Sequence, residues 1–200
     1  MSSALAIAAT TFLLKDLLDN HLIAQGLTSS LGEVSVTALP PDRVPVGAEE
    51  RSQLNLFLYR ITPYAGWRGS RVGDGAPNGR VAPAAPPLTL DLHYLLAAYG
   101  EHDFHAELLL GVAMRVLHQT PALTAAAIRG VLTTGVSAGS SSPLRAALAA
   151  ASVNDEGTGV TIEPEFLSSE ETSKLWSALQ ARYRPSAAYK VSAVVLDGGE

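Results

Sequence analysis

The sequence contains no cysteine, which excludes a disulfide framework and any zinc site built on thiolates. Charge is scarce as well: Asp, Glu, Lys and Arg make up 16% of the residues, against 47% hydrophobic. A small monomer needs more charge than that to cover its surface, so the shortfall points to self-association. Basic residues are in the minority, and a net charge of −5 speaks against a general nucleic-acid binder. The nearly uncharged run from Ala4 to Leu14 is too short to span a bilayer. It also lacks the basic segment that precedes the apolar run of a secretory signal, since the first charged side chain, Lys15, comes after it. An ordinary packed helix is expected there. No G-x-x-x-x-G-K-[ST] motif occurs, and Gly73, Gly75 and Gly79 miss the third position of G-x-G-x-x-G and follow a loop, so nucleotide binding is unsupported.

What is present centres on two apolar stretches. From Leu54 to Thr62, Leu54, Leu56 and Leu58 alternate with Phe57, Tyr59 and Ile61, so both faces of an extended strand are apolar, as in a covered central strand. From Pro87 to Tyr99, Leu88, Leu90, Leu92, Tyr94 and Leu96 share one face, while Thr89, Asp91 and His93 make the other more polar.

Around these, periodicity predicts an amphipathic helix from about Ser3 to Gln25, carried by Ile7, Leu14, Leu18 and Leu22 and stopped by Gly26. Glu33 to Leu39 alternates as a half-buried strand, with Val34, Val36 and Ala38 inward and Pro40 and Pro41 ending it. The charges of Glu49, Glu50 and Arg51 read as solvated surface. Asp103 to His118 is helical, with Phe104, Leu108, Val112 and Val116 on one side, and Pro121 opens a shorter helical piece over Ala122 to Leu132. Val160 and Ile162 mark a short strand. Leu167 to Tyr183 is a helix opened by a capping box of Ser168 and Glu171, with Thr172, Leu175, Trp176, Leu179 and Tyr183 as its buried stripe and Glu170 and Lys174 paired. Ala187 to Asp197 is the last strand, with Tyr189, Val191, Ala193 and Val195 on one face. The expectation is an α+β domain, a mixed β-sheet flanked by helices, in one unit over residues 1–200 with a long loop at 63–86 and a flexible linker at about 133–157.

Candidate chemistry is thin. Gly135-Val136-Ser137-Ala138-Gly139 matches the G-x-S-x-G nucleophile elbow, but all five histidines precede Ser137, against the order serine, acid, histidine. Asp91 and His93, two residues apart on one strand face, have the spacing of co-ligands, with Glu101, His102, Asp103 and His105 close by in sequence. Yet Asp103 stands where the following helix needs a cap, and that use is the simpler one. Arg60, Arg68, Arg71 and Arg80 give the long loop local positive charge, with Tyr64 and Trp67 close by, residue types that anchor protein interfaces.

One resemblance covers nearly the whole chain. Lys174-Leu175-Trp176-Ser177-Ala178-Leu179, then Tyr183-Arg184-Pro185-Ser186 running into Tyr189-Lys190-Val191-Ser192, with Asn55 to Pro63, Trp67-Arg68, Pro86-Pro87-Leu88, Leu90 to Leu95, Leu110-Gly111 with Met114, and Leu117-His118 with Pro121, occur in the order of a known family. The chain resembles the N-terminal domain of cap, or tail-terminator, proteins of extracellular contractile injection systems, the phage-tail-like particles typified by the Photorhabdus virulence cassette and the antifeeding prophage. Against that pattern the segment from Thr133 to Glu156 is longer and richer in alanine and serine.

The resemblance implies an α+β tail-terminator fold that assembles as a six-membered ring on the inner tube and against the last sheath ring, stopping tube growth and coupling sheath to tube. The implied partners are copies of itself, the tube protein and the sheath protein, with no nucleic acid and no membrane. It brings no catalytic residues, no cofactor and no metal. The implied location is the cytoplasm on synthesis and the assembled particle afterwards. Tyr64, Trp67, Arg68 and Arg71 are the candidate partner contacts. A monomeric protein-binding adaptor and a hydrolase using Ser137 are the competing classes.

Overall fold

Alternating apolar residues build six strands into one sheet, and helices pack on both of its faces. The computed structural model describes residues 5–24, 31–64, 88–124 and 159–196. The elements are α1 (Ala6–Ala24), β1 (Ser35–Thr37), β2 (Gln53–Pro63), β3 (Leu88–Tyr99), α2 (His105–Gln119), β4 (Ala122–Leu123), β5 (Val160–Glu165), α3 (Ser169–Ala178) and β6 (Ser186–Leu196). Strand order is β1-β2-β3-β6-β5-β4. The β1–β2 pair is parallel and the others are antiparallel, so the sheet is mixed and the class is α+β.

Two strands occupy the middle, β3 and β6. On one face of the sheet, Leu92, Tyr94 and Leu96 of β3 join Leu54 and Leu56 of β2 and Val191 of β6 in the larger core, which Leu13, Leu14, Leu18 and Leu22 of α1 and Leu109, Ala113 and Val116 of α2 complete. The other face carries a smaller core of Leu95, Ala97 and Tyr99 closed by Val44 and by Trp176 of α3. Trp176 is the buried residue of α3, and its indole is what holds that helix on the sheet. The residues of β3 from Leu90 to Tyr99 are all buried, including Asp91 and His93 on the face that the alternation read as the more polar one.

Several expectations are corrected. β2 is covered only over its first half: Gln53 to Leu56 are buried, whereas Ile61 is 45% exposed, because the helices and β1 reach only that end. β1 is three residues long and leaves the sheet at Thr37. There the buried Asn55 side chain takes over, accepting from the Leu39 N–H and donating to the Leu39 carbonyl, each at 2.9 Å. Ala122 and Leu123 form a short strand instead of opening a helix, paired with Thr161 and Val160, while the Pro121 carbonyl accepts from Ile162 N–H at 2.8 Å. The remainder of that segment, and the linker at about 133–157, lie outside the described residues.

The stripe read for α2 is also rotated. Leu109, Ala113, Val116 and Leu117 are buried, whereas Phe104, Leu108 and Met114 face out. Phe104 sits at the N-cap with φ 67°, and no side chain caps this helix end, so Asp103 does not perform the capping role expected of it. The left-handed residue reorients the chain as it enters the helix.

Two bulges reset the alternation. Opposite Asp91, β6 fits one residue more than β3 between the pairs Leu92–Val191 and Leu90–Val194, and Ala193 adopts φ 66°. Beyond it the buried phase moves from Tyr189 and Val191 to Val194. In β2 the register shifts between Leu58 and Arg60, which leaves Tyr59 unpaired with β3. The capping box is present as read: Glu171 N–H donates to Ser168 Oγ at 3.2 Å, and Ser168 N–H donates to Glu171 Oε2 at 2.9 Å. The helix it opens ends at Ala178, so Tyr183 is not part of its buried stripe.

Candidate functional site

Of the four candidate contacts, Tyr64 is the one within the described residues; Trp67, Arg68 and Arg71 lie outside them. Tyr64 is half-buried, and its N–H donates to the Thr89 carbonyl at 3.0 Å, which carries the β2–β3 ladder one step past Pro63. The described part of the candidate loop is thus its root. That root is fixed by a polar cluster that sequence patterning did not single out.

The cluster gathers Tyr59, Arg60 and Thr62 from β2, His93 from β3 and Glu165 from the end of β5. Consecutive strand residues normally point to opposite faces, but the bulge at Tyr59 breaks that rule. Tyr59 Oη and Arg60 Nη2 both reach the Glu165 carboxylate, at 3.0 Å and 2.8 Å. His93 Nδ1 donates to Glu165 Oε2 at 2.8 Å, and its Nε2 lies 2.8 Å from Thr62 Oγ1, so in the neutral ring Nε2 accepts the Thr62 hydroxyl proton. Burial alone would raise the Glu165 pKa, but hydrogen bonds from His93 and Tyr59 and the charge of Arg60 more than offset it and hold the carboxyl below its usual range. The Tyr59 hydroxyl is pushed up to about 12, first by burial and then by the carboxylate it bonds.

Thr62, His93 and Glu165 are in line as hydroxyl, imidazole and carboxylate, the arrangement of a nucleophile, base and orienting acid. A reaction also needs room for substrate at the hydroxyl. The 210 Å³ cleft beside the cluster is lined by Glu165 and Phe166 and by neither Thr62 nor His93. What the cluster does is tie the root of the loop, across the sheet, to the strand end that leads into α3.

A second anchor lies at the other end of β3. Arg184 and Glu50 form an ion pair at 2.6 Å, and the Arg184 guanidinium sits 5.6 Å from the Tyr99 ring centre. Glu50 is therefore partly buried and engaged, where the sequence reading took it as solvated. Next to Arg184, the Pro185 carbonyl accepts from Ala98 N–H at 3.0 Å, so the segment after α3 is stitched to β3 before β6 begins. Burial pushes the Tyr99 hydroxyl up to about 12.

Asp91 and His93 do not act together. His93 turns to Glu165 and Thr62, whereas Asp91 Oδ1 is buried without a hydrogen-bond partner. His102 and His105 stack edge to face at 5.1 Å, and His105 Nδ1 lies 2.7 Å from Ser52 Oγ. Among the described residues no group of three or more metal-ligating side chains is arranged around a common point. Ser137 with its flanking glycines, and Gly73, Gly75 and Gly79, lie outside the described residues. Among the described residues no helix is long and apolar enough to cross a membrane. Glu165 and Arg184 were the residues patterning missed. The one signal for Arg184 was its place in the Tyr183-Arg184-Pro185-Ser186 motif; for Glu165 there was none.

Comparison with known proteins gives a family model and similar solved structures. Residues 9–200 match the family model described as the Pvc16 N-terminal domain. The chain is similar to the sheath/tube terminator of an extracellular contractile injection system, PVC, in its extended state, with TM-score 0.49 and 17% identity, covering 89% of this chain and 57% of that one. It is likewise similar to the tube-terminating cap of the anti-feeding prophage, with TM-score 0.48 and 16% identity, covering 89% of this chain and 54% of that one. The chain thus spans little more than half the length of these two solved chains. No curated protein matches it.

Proposed function

The chain belongs to the Pvc16 N-terminal domain family, and from that premise we propose that it is a structural terminator of a phage-tail-like contractile injection particle. In this reading it forms a six-membered ring that ends the inner tube and anchors the last sheath ring. The observation that carries the reading is the family match from residue 9 to residue 200, which leaves almost none of the chain outside it. The role is mechanical and asks for no catalysis. The subunit acts as a single domain, made in the cytoplasm and then built into the particle, with the loop bearing Tyr64, Trp67, Arg68 and Arg71 as a contact to tube, sheath or the neighbouring subunit. The polar cluster supports that assignment, because a contact loop needs a rigid root to transmit load to the sheet.

The test is electron microscopy of tubes assembled from the particle's own tube subunits with and without this protein. The expected result is closed, uniform tube ends and a bounded length distribution only when the protein is present. Identical lengths and ends in both preparations overturn the reading. Replacing Trp67 and Arg68 with alanine is expected to abolish capping while leaving the subunit folded; intact rings and intact capping in that variant remove the loop from the interface.

A further inference from the structure

An acidic cleft of 730 Å³ opens at the start of β2, lined by Glu33, Glu49, Glu50, Glu101 and Gln53, with Arg51 its one basic side chain among the described residues. Glu50 is held by Arg184 at 2.6 Å, and Glu33 faces Arg51 at 3.7 Å. Glu49 and Glu101 are exposed and have no ion-pair partner among the described residues. Gln53 makes the cleft more than a group of surface acids. Val36 and Leu54 enter the larger core, so Gln53, like Tyr99 opposite it, points to the other side of the sheet, where Val44 and the segment after it wall the cleft. Gln53 is 6% exposed, yet its side-chain amide has no hydrogen-bond partner among the described residues. Polar groups buried to that degree are normally paired. Two free carboxylates and an amide carbonyl are acceptors, and a guanidinium, with five N–H donors and no acceptor, is their complement.

We propose that Arg68 and Arg71 of the long loop enter the acidic cleft of a second copy of this chain. Charge and chain length choose the occupant together. Both arginines follow β2, whose eleven residues put Tyr64 about 35 Å from Gln53 along the strand. A fully extended backbone carries Arg68 at most about 14 Å from Tyr64 and Arg71 about 25 Å. An arginine side chain does not bridge the remainder, so the loop cannot fill the cleft of its own chain. The two complementary surfaces lie at opposite ends of β2, so each copy offers its loop to one neighbour and its cleft to another. Such a contact is head-to-tail, the kind that closes into a ring when the rotation between copies allows it. The inference rests on the terminator reading for the ring and names the contact that builds it.

Light scattering of the full chain tests this. With rising concentration the mass should grow beyond that of one 20.9 kDa chain. A cleft variant, Glu49→Gln with Glu101→Gln, and a loop variant, Arg68→Gln with Arg71→Gln, each confirmed as folded by circular dichroism, should each weaken association by about tenfold or more. Mixed in equal amounts, the two variants retain one intact loop and one intact cleft between them. They should form pairs of twice the single-chain mass and stop there, because the loop and cleft left over are the altered ones. Assemblies of unchanged mass from either variant overturn the proposal, as does a mixture that associates no better than its components. A mass of one chain at every concentration overturns it too, and loss of tube capping in the cleft variant would then give the cleft to the tube or sheath protein. The terminator reading is judged separately, by tube ends formed with the natural chain.

Discussion

His93 and Glu165, 72 residues apart in sequence, meet at 2.8 Å through Nδ1 and a carboxylate oxygen, and that contact joins a middle strand of the sheet to the strand end before α3. Because Tyr59 and Arg60 converge on the same carboxylate, removing it orphans three donors at once. Glu165→Ala is expected to lower stability by about 1–3 kcal/mol, read as a shift in the urea midpoint at neutral pH.

The same carboxylate makes stability depend on pH in a defined direction. Its folded pKa is below the ordinary carboxylate value, so its contribution is complete above that value and is lost as pH falls through the folded one. The stability gap between the natural chain and Glu165→Gln should thus be full at pH 7 and shrink below about pH 4. Urea titrations of both proteins across that range check it; a gap that stays constant would refute the assignment.

Trp176 is 3% exposed and plugs the smaller core against Leu95, Ala97 and Tyr99. Trp176→Ala is expected to cost about 3–5 kcal/mol and to detach α3 from the sheet. Hydrogen exchange should then show lost protection over Ser169–Ala178, with the α1 and α2 face of the sheet less affected.

Ala193 holds φ 66°, a conformation that suits glycine better than alanine. Ala193→Gly should therefore stabilise the protein by about 0.5–1 kcal/mol, visible as a raised melting temperature. A lowered one would mean that the methyl group contributes more by packing than the backbone conformation costs.

The capping box gives a cleaner test because its members are exposed. Ser168→Ala removes the acceptor for the Glu171 amide and is expected to cost about 1 kcal/mol. Thermal melts of Ser168→Ala and Ser168→Asp separate capping from other effects, since aspartate should retain most of the stability.

These results show where sequence patterning reads well and where it stops. Features written in local spacing were legible: the α1 stripe, the Ser168 and Glu171 box, the Glu170 and Lys174 pair, and the apolar alternation that opens β2 and β6. What failed depended on contacts made elsewhere. On the other face of β3, Leu95, Ala97 and Tyr99 are covered by Trp176, which arrives from 77 or more residues along the chain, and His93 is engaged by Glu165 from β5. The α2 stripe was right at Val116 and wrong at Phe104 and Leu108 because the exposed face is itself apolar, so hydrophobicity could not say which side looks inward. Bulges at Tyr59 and Ala193 shift phase within strands whose composition gives no sign of it. The Glu165 cluster was invisible for the plainest reason, that five residues from three strands meet only once the sheet has formed.

Asn55 has a wider effect than its two bonds to Leu39 suggest. By standing in for one more rung of strand, its amide dictates where β1 turns away, so among the described residues only Gln53 to Asn55 of β2 are paired on that side. Among the described residues no strand pairs with that side of β2 from Leu56 onward, and an edge of this kind is where a further strand can be added.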